Sequence, residues 1–527
     1  MAATDATTAP DAPQAPHATP GAGPMATRLA WAAAALLTAF LCLWPAVAGL
    51  VSCNDDLKFV RGPWIDMPLP DAVADAWRQP GMFRPMEIAV AAMCDPVSLR
   101  ATPVIVVQAL GYLAFLAAVA VLARRIAPRH PVVAPLAILW IGLSPATMTS
   151  LWQMDTCSQT WSAALAGWAG IALWRGVDAA RAHRRDWGVF LALCILFLLG
   201  VNIKELFYGW SLGIGTALLL TLAWLWRRDR AAARAAWPMV IPVIALPILH
   251  LIVRLKFSGF SGAGTEHNRY AVALGDNLLL NTAVSFGGAF ANGPLHLLGD
   301  DAAAPWLRVL PAISVVAAVC IVATAAGFRW FHRASEGPVR LAPLLLCGLA
   351  AILSMAATIP MGSVSELYAF GANAGAGLLV AGAFVMLWNP LADDERLLCR
   401  GIAVLGAAAL AATGLDGVAS RTHHFATTWE SVRILNDRMI AHWQALPPAA
   451  REPAATIYFA KECYAGRAHS QYVISGFSGI SPDETEAWMN HCDPQRQVIL
   501  SMLDPLQPRP GIDLVLDCRD LPERGHW

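Results

Sequence analysis

Charge is what this sequence has least of. Asp, Glu, Lys and Arg make up 14% of its 527 residues, against roughly 25% in globular chains. The deficit runs along most of the length, while 57% of residues are hydrophobic and mean hydropathy is +0.51. An ordinary soluble domain is excluded, and an α-helical polytopic membrane protein is expected. The chain also lacks an excess of either sign, since 37 basic residues meet 37 acidic ones. Its arginines stand at segment ends rather than on one stripe, which excludes a nucleic-acid partner. Tyrosine is scarce, 7 against 21 Trp. Many of those Trp lie at the ends of apolar runs, where indole rings anchor at the bilayer interface. Residues 1–26 lack bulky apolar side chains and cannot bury a core, so a disordered cytoplasmic tail is expected there.

What is present is a series of apolar runs. About eleven spans are expected, near 29–51, 102–123, 131–150, 159–174, 187–202, 206–226, 237–255, 305–328, 341–360, 368–388 and 400–418. The first, Leu29 to Val51, has ~23 residues, enough to cross ~30 Å of hydrocarbon at ~1.5 Å per residue. It is too long for the apolar part of a cleaved signal. The stretch LVSC (Leu50–Cys53) resembles a bacterial lipobox, and cleavage there would leave a lipidated Cys53. The segment 276–300 is apolar but interrupted by Gly, Asn, Pro and His, which suits an interfacial or re-entrant helix.

Basic residues cluster in alternate loops: Arg124, Arg125 and Arg129; Arg175, Arg181, Arg184 and Arg185; Arg227, Arg228, Arg230 and Arg234; Arg329 and Arg333; Arg396 and Arg400. Short basic loops stay cytoplasmic. A multi-pass bacterial inner (plasma) membrane protein follows, with a cytoplasmic N-terminus. The 52–101 loop and everything after about residue 419 then lie outside. The expected domains are a transmembrane unit over 27–420 and a periplasmic unit over 421–527. The latter opens with a helix over 425–446 and continues in short β-prone runs, ATIYFA, QYVISGF, VILSML and IDLVLDC, that suit a small α/β domain. Cys53, Cys94, Cys157, Cys463, Cys492 and Cys518 fall on the oxidising side, and Cys53–Cys94 and Cys463–Cys492 are candidate disulfides.

The outer loops carry the chemistry. CNDDLKFVRG places Asp55 and Asp56 directly after the first span, and the same loop holds Lys58, Arg61, Asp66, Asp71, Asp75, Arg78, Arg84 and Glu87. WQMDTCSQTW supplies Asp155 and Gln159, NIKELFYGW supplies Asn202, Lys204, Glu205 and Tyr208, and MGSVSELYAFGAN supplies Glu366 and Tyr368. GTEHNRY holds Glu266 and His267, a pair too small to make a metal site. Ionisable groups at membrane depth face a cavity or one another. Carboxylates, one or two cations and several amides on one face suit transfer of a sugar from a polyprenyl-phosphate carrier. A cation clamps the phosphate, and a carboxylate takes the proton of an attacking hydroxyl. No cofactor is required, and the chemistry admits a divalent cation without demanding one.

In the order NDDLKFV, MFRPMEIAV, WQMDTCSQTWSAAL, NIKELFYGW and SELYAFGAN, residues 29–420 resemble the GT-C superfamily of polytopic glycosyltransferases. Within it the likeness is to bacterial relatives of the protein O-mannosyltransferase and tetratricopeptide-carrying types. The resemblance implies an acidic base in the first outer loop, hence Asp55 or Asp56. It implies Arg84 and Lys204 as phosphate-side cations, and Asp155, Gln159, Glu205, Glu366 and Tyr368 as substrate-positioning residues. The implied donor is a polyprenyl-phosphate-linked sugar, and the acceptor an outer-face glycan, lipid or protein. Where relatives often carry an Arg-Tyr pair near the late motif, this chain reads Glu366-Leu367-Tyr368, and its tail has no 34-residue helical repeat. Plainer roles stay open: a solvated helix end for Asp55–Asp56, an interfacial anchor for Arg84, an ion pair within Lys204–Glu205, a buried hydrogen-bond partner for Asp155, loop ties for Glu366 and Tyr368. Two other functions also stay open, a transporter or flippase of lipid-linked glycans and a non-catalytic membrane scaffold.

Overall fold

The computed structural model describes residues 24–53, 57–78, 85–204, 206–258, 278–279, 282, 285, 288–290, 305–332, 339–357, 359, 369–389, 396–447, 454–460, 482–501, 507–517 and 521. Most of the expected disordered tail, residues 1–23, and most of the 276–300 segment lie outside these residues, while residues 24–26 are already helical.

Each of the eleven apolar runs is helical. Helix α1 (Pro24–Ala48) starts five residues earlier than the apolar pattern suggests. It stops at Gly49, whose φ of +75° is a conformation that L side chains rarely adopt. Three short helices follow, α2 (Leu57–Val60), α3 (Leu69–Arg78) and α4 (Pro85–Ala91). The excursion that holds them is closed at its base, where Val51 bridges Arg100 and Ser52 N donates to Leu99 O at 2.8 Å. Helix α5 (Thr102–Ile126) then crosses. The run over 131–150 is a broken helix: α6 (Val133–Gly142) and α7 (Pro145–Leu151) meet at 69°. Pro145 brings no N–H to the ladder and opens the second half.

Helices α8 (Cys157–Arg181), α9 (Trp187–Ile203) and α10 (Phe207–Arg228) come next. Short α11 (Arg230–Ala236) leads into α12 (Leu246–Ser258) through a π-turn at Ile241–Ala245, where Pro242 removes a donor. The bundle is completed by α13 (Pro305–His332), α14 (Leu341–Ser354), α15 (Ala369–Trp388) and α16 (Arg396–Ala445). Among the described residues, six helices are long and apolar enough to cross a bilayer, or seven with the bent pair as one span. Trp187–Ile203, Ala312–Gly327 and Leu341–Ser354 are apolar but shorter. Helix α8 has 25 residues, yet Ser158, Gln159, Thr160 and Ser162 in its first turns lower its hydropathy. The chain is a multi-pass α-helical membrane protein.

Glycines let two helices touch. A Cβ at Gly209 or Gly213 on α10 would collide with the main-chain oxygens of Ser354 and Ala350, along α14. Small residues at i and i+4 bring backbones together where lipid supplies no hydrophobic drive. Gly213→Leu is expected to force α10 and α14 apart at a cost of about 1–3 kcal/mol, read as earlier thermal unfolding in detergent. Gly327→Leu, where a Cβ would meet nothing within 4 Å, is the matched control and should unfold like wild type.

Helix α16 departs from expectation. The apolar pattern ends a span near 418 and starts a second helix at 425, but one continuous 50-residue helix runs through both. At ~1.5 Å per residue it is about 75 Å long, more than twice the hydrocarbon thickness. Arg421 and His424, within this helix, are buried. The far part of α16 carries a small unit of three parallel strands, β1 (Ala455–Phe459), β2 (Val498–Ser501) and β3 (Leu514–Leu516), in the order β2-β1-β3. Helix α17 (Pro482–Cys492) precedes β2. Three of the four β-prone runs are these strands, and QYVISGF lies outside the described residues. No disulfide joins Cys53 to Cys94. The Cys94 thiol instead faces Val90 O at 3.4 Å and the Met154 sulfur at 3.9 Å. Cys463 lies outside the described residues.

Candidate functional site

The end of α1 is fixed by aromatic packing. Trp44 sits 4.4 Å from Trp152 and 5.2 Å from Trp429, ring centre to ring centre, and Phe425 abuts Trp152 edge-on. Trp152 Nε1 donates to Leu41 O at 3.1 Å. The chain that follows α1 therefore leaves next to the turn that opens α8. Side chains tie that turn down. Gln108 on α5, fully buried, donates to Ser150 O at 3.3 Å and to Gln153 O. Thr156 Oγ1 donates to the same two carbonyls at 2.9 and 2.7 Å.

Beneath the loop lies a buried polar cluster. Glu87 stands on α4 between Met86 and Ile88 and is 0% exposed. Its Oε1 accepts from the Ser158 hydroxyl at the start of α8 and lies 3.9 Å from Lys204 Nζ. Lys204, 3% exposed, caps the end of α9 and donates to the main-chain oxygen of Asp155 at 3.4 Å. Gln159 is buried next to Ser158 in the first turn of α8. The turn that carries Lys204 is braced from both sides: Asn202 Oδ1 meets His250 Nε2 at 3.1 Å, and His250 Nδ1 meets the Tyr208 hydroxyl at 2.7 Å.

Of the expected site residues, the fold gathers Lys204, Asp155 and Gln159 at one place, the junction of α8 and α9. Asp55, Asp56, Arg84, Glu205, Glu366 and Tyr368 lie outside the described residues. Lys204 faces Glu87 across the sequence, and the Lys204–Glu205 pair read from the sequence falls partly outside the described residues. Glu87, named in the sequence only among the ionisable residues of the 52–101 loop and given no role there, is the acid the fold adds to the site. Its signal is a single carboxylate inside MEIAVA, where every neighbour is apolar. Among the described residues no group of three His, Cys, Asp or Glu lies close enough to share a metal ion.

Arg61, a loop cation in the sequence, is a structural tie. It is 1% exposed. It donates to Pro96 O at 2.9 Å, Thr485 Oγ1 at 3.2 Å, Val97 O at 3.4 Å and Asn436 Oδ1 at 2.6 Å, and lies 4.3 Å over the Trp488 ring. Burial pulls its pKa down to about 9, against the opposing pull of Asp95, so it stays charged at neutral pH. One guanidinium thus fastens the loop to α16 and to α17 of the terminal unit. Arg61→Met is expected to cost about 3 kcal/mol or more, because four acceptors lose a charged donor. Limited proteolysis should then release the terminal unit faster than in wild type.

No family model matches the chain, and no curated protein matches it. Among solved structures, it is similar to ArnT from Cupriavidus metallidurans, determined with undecaprenyl phosphate bound. The two share 15% identity and a TM-score of 0.39, over 91% of this chain and 90% of that one.

Proposed function

We propose that the chain is a membrane glycosyltransferase that moves a sugar from a polyprenyl-phosphate donor to a hydroxyl acceptor on the membrane face of the 52–101 loop. The observation that carries this reading is the buried Lys204, held beneath that loop by Glu87 and the Asp155 carbonyl. A cation fixed in this way presents preorganised positive charge where a lipid-borne phosphate meets the membrane surface. The acceptor oxygen attacks the anomeric carbon and gives its proton to Asp55 or Asp56. The bond between that carbon and the phosphate oxygen breaks, and polyprenyl phosphate leaves with the electron pair towards Arg84 and Lys204. The order of motifs that resembles the GT-C superfamily supports the same reading. The face in question is the periplasmic one of a bacterial inner membrane, as the basic loops indicate, and the acceptor class is a polysaccharide, a lipid or a protein.

A transporter of lipid-linked glycans needs polar groups along its path. The cavity between α5, α8 and α10 is walled away from its charged mouth by residues such as Phe115, Val119 and Ile214, which offer none.

The test compares surface glycans and envelope lipids of cells carrying wild type, a deletion, Asp55→Asn and Asp56→Asn, with membrane levels of the protein checked. One Asn variant should accumulate normally and lose the same sugar as the deletion. If both keep the sugar that the deletion loses, the base assignment fails. If the deletion changes no glycan, the chain is not a glycosyltransferase and the scaffold reading replaces it.

A further inference from the structure

A second feature lies at the other end of α8. A cavity of about 1010 Å³ opens between α5, α8, α10, α14 and α15, at the upper end of the roughly 300–1,000 Å³ of ordinary ligand pockets. Its walls are apolar until the mouth, which is lined by Trp174, Asp178, Arg181, Trp224 and Arg340. Arg125 reaches into the same ring, 3.8 Å from Asp178 and 5.7 Å from the Trp174 ring. Arg181 and Arg228 both stack on Trp224, at 5.1 and 4.9 Å. The main-chain N–H of Arg340 donates to Ile126 O at 2.9 Å, which sets Arg340 beside the end of α5. Arg340 is also the N-cap of α14 and makes no side-chain cap, so the positive end of that helix adds to the ring. Among the described residues, four guanidinium groups, Arg125, Arg181, Arg228 and Arg340, thus gather at or beside this mouth, and one carboxylate, Asp178, lines it. Asp229, just past the end of α10, is turned to cap α11 and to face His183.

We propose that this cavity binds one anionic phospholipid, with acyl chains between the helices and the phosphate in the arginine–tryptophan ring. The charge of the mouth selects the anionic class, because basic pockets between spanning helices hold acidic headgroups. Trp rings at the same level mark the bilayer interface. The site is separate from the candidate catalytic one. Ser158 and Arg181 lie at opposite ends of α8, about 35 Å apart at ~1.5 Å per residue. A phosphate in the ring therefore lies one membrane thickness from Lys204. The proposal does not rest on the glycosyltransferase reading.

Gly170 gives a clean probe. It lines the cavity, and a Cβ there would meet nothing within 4 Å. Gly170→Leu therefore fills lipid space without touching a helix contact. The full-length chain, purified in detergent, is titrated with dioleoylphosphatidylglycerol, dioleoylphosphatidylcholine or undecaprenyl phosphate and read by native mass spectrometry. Wild type should retain phosphatidylglycerol roughly tenfold or more better than phosphatidylcholine. The double variant Arg181→Gln/Arg340→Gln should abolish that preference, and Gly170→Leu should weaken both phospholipids. If phosphatidylglycerol and phosphatidylcholine bind alike to wild type, or if Gly170→Leu leaves both unchanged, the proposal fails. It also fails if undecaprenyl phosphate displaces phosphatidylglycerol and is itself weakened by Gly170→Leu. Should the double variant not fold, the wild-type preference and Gly170→Leu decide.

Discussion

Replacing the working carboxylate of the Asp55–Asp56 pair by asparagine is expected to slow sugar transfer by about 10²–10⁴-fold, with the protein still folded in the membrane. Asn keeps the size and much of the hydrogen bonding of Asp but cannot take a proton from the acceptor hydroxyl. Adjacent side chains diverge, so only one of the two single variants should show the full loss. The flanking residues argue that neither variant breaks the fold. Cys53 and Leu57 are buried, and the base of the loop is held by main-chain bonds at Val51, Ser52 and Arg100 that do not involve the acids. Glu87 is a poor candidate for the same role. Its Oε1 already accepts from Ser158 and faces the Lys204 ammonium, so it is committed to the buried cluster. Transfer from a radiolabelled polyprenyl-phosphate sugar into washed membranes is the measurement. If Asp55→Asn and Asp56→Asn both transfer within a few-fold of wild type, the base lies elsewhere.

The helices were open to sequence reading because lipid leaves one solution for an exposed backbone, so a long apolar run reads directly as a helix. Even the break at Ser144–Pro145 has a visible cause in Pro145. Helix α16 was harder. Arg421, His423 and His424 interrupt the apolar run between the two expected helices, and only the packing shows that α16 carries straight on, with Trp429 against α1 and Phe425 against Trp152 at the end of α7. The terminal strands were legible from β-branched runs, but their docking was not. Arg61 finds Asn436 and Thr485 at separations of 375 and 424 residues, and no local pattern encodes a contact at that range. The candidate site divides in the same way. Lys204 and Asp155 stand out because charge is rare here. Glu87 stands out only once α4 is seen to press it under the loop.

Lys204→Met carries the other large expected effect, and its value lies in separating charge from scaffolding. The substitution leaves Glu87 buried without its cation, and breaking a buried pair from one side costs roughly 3–5 kcal/mol. A drop in thermal midpoint and a loss of transfer should therefore appear together, which alone says little about mechanism. The double variant Lys204→Met/Glu87→Gln removes the stranded charge and offers Ser158 an amide oxygen in place of the carboxylate. Stability should return to near the wild-type value, because two well-packed neutral groups replace a pair whose desolvation offset much of its attraction. Transfer should stay low, since the leaving phosphate still lacks its fixed positive partner. Intrinsic tryptophan fluorescence during heating gives the first quantity and the radiolabelled transfer assay the second. Recovery of both would make Lys204 a structural partner of Glu87 and nothing more, and the phosphate role would then fall to Arg84. Recovery of stability alone ties the buried ammonium to the departure of polyprenyl phosphate, because the double variant differs from wild type at this cluster chiefly in having no charge to offer.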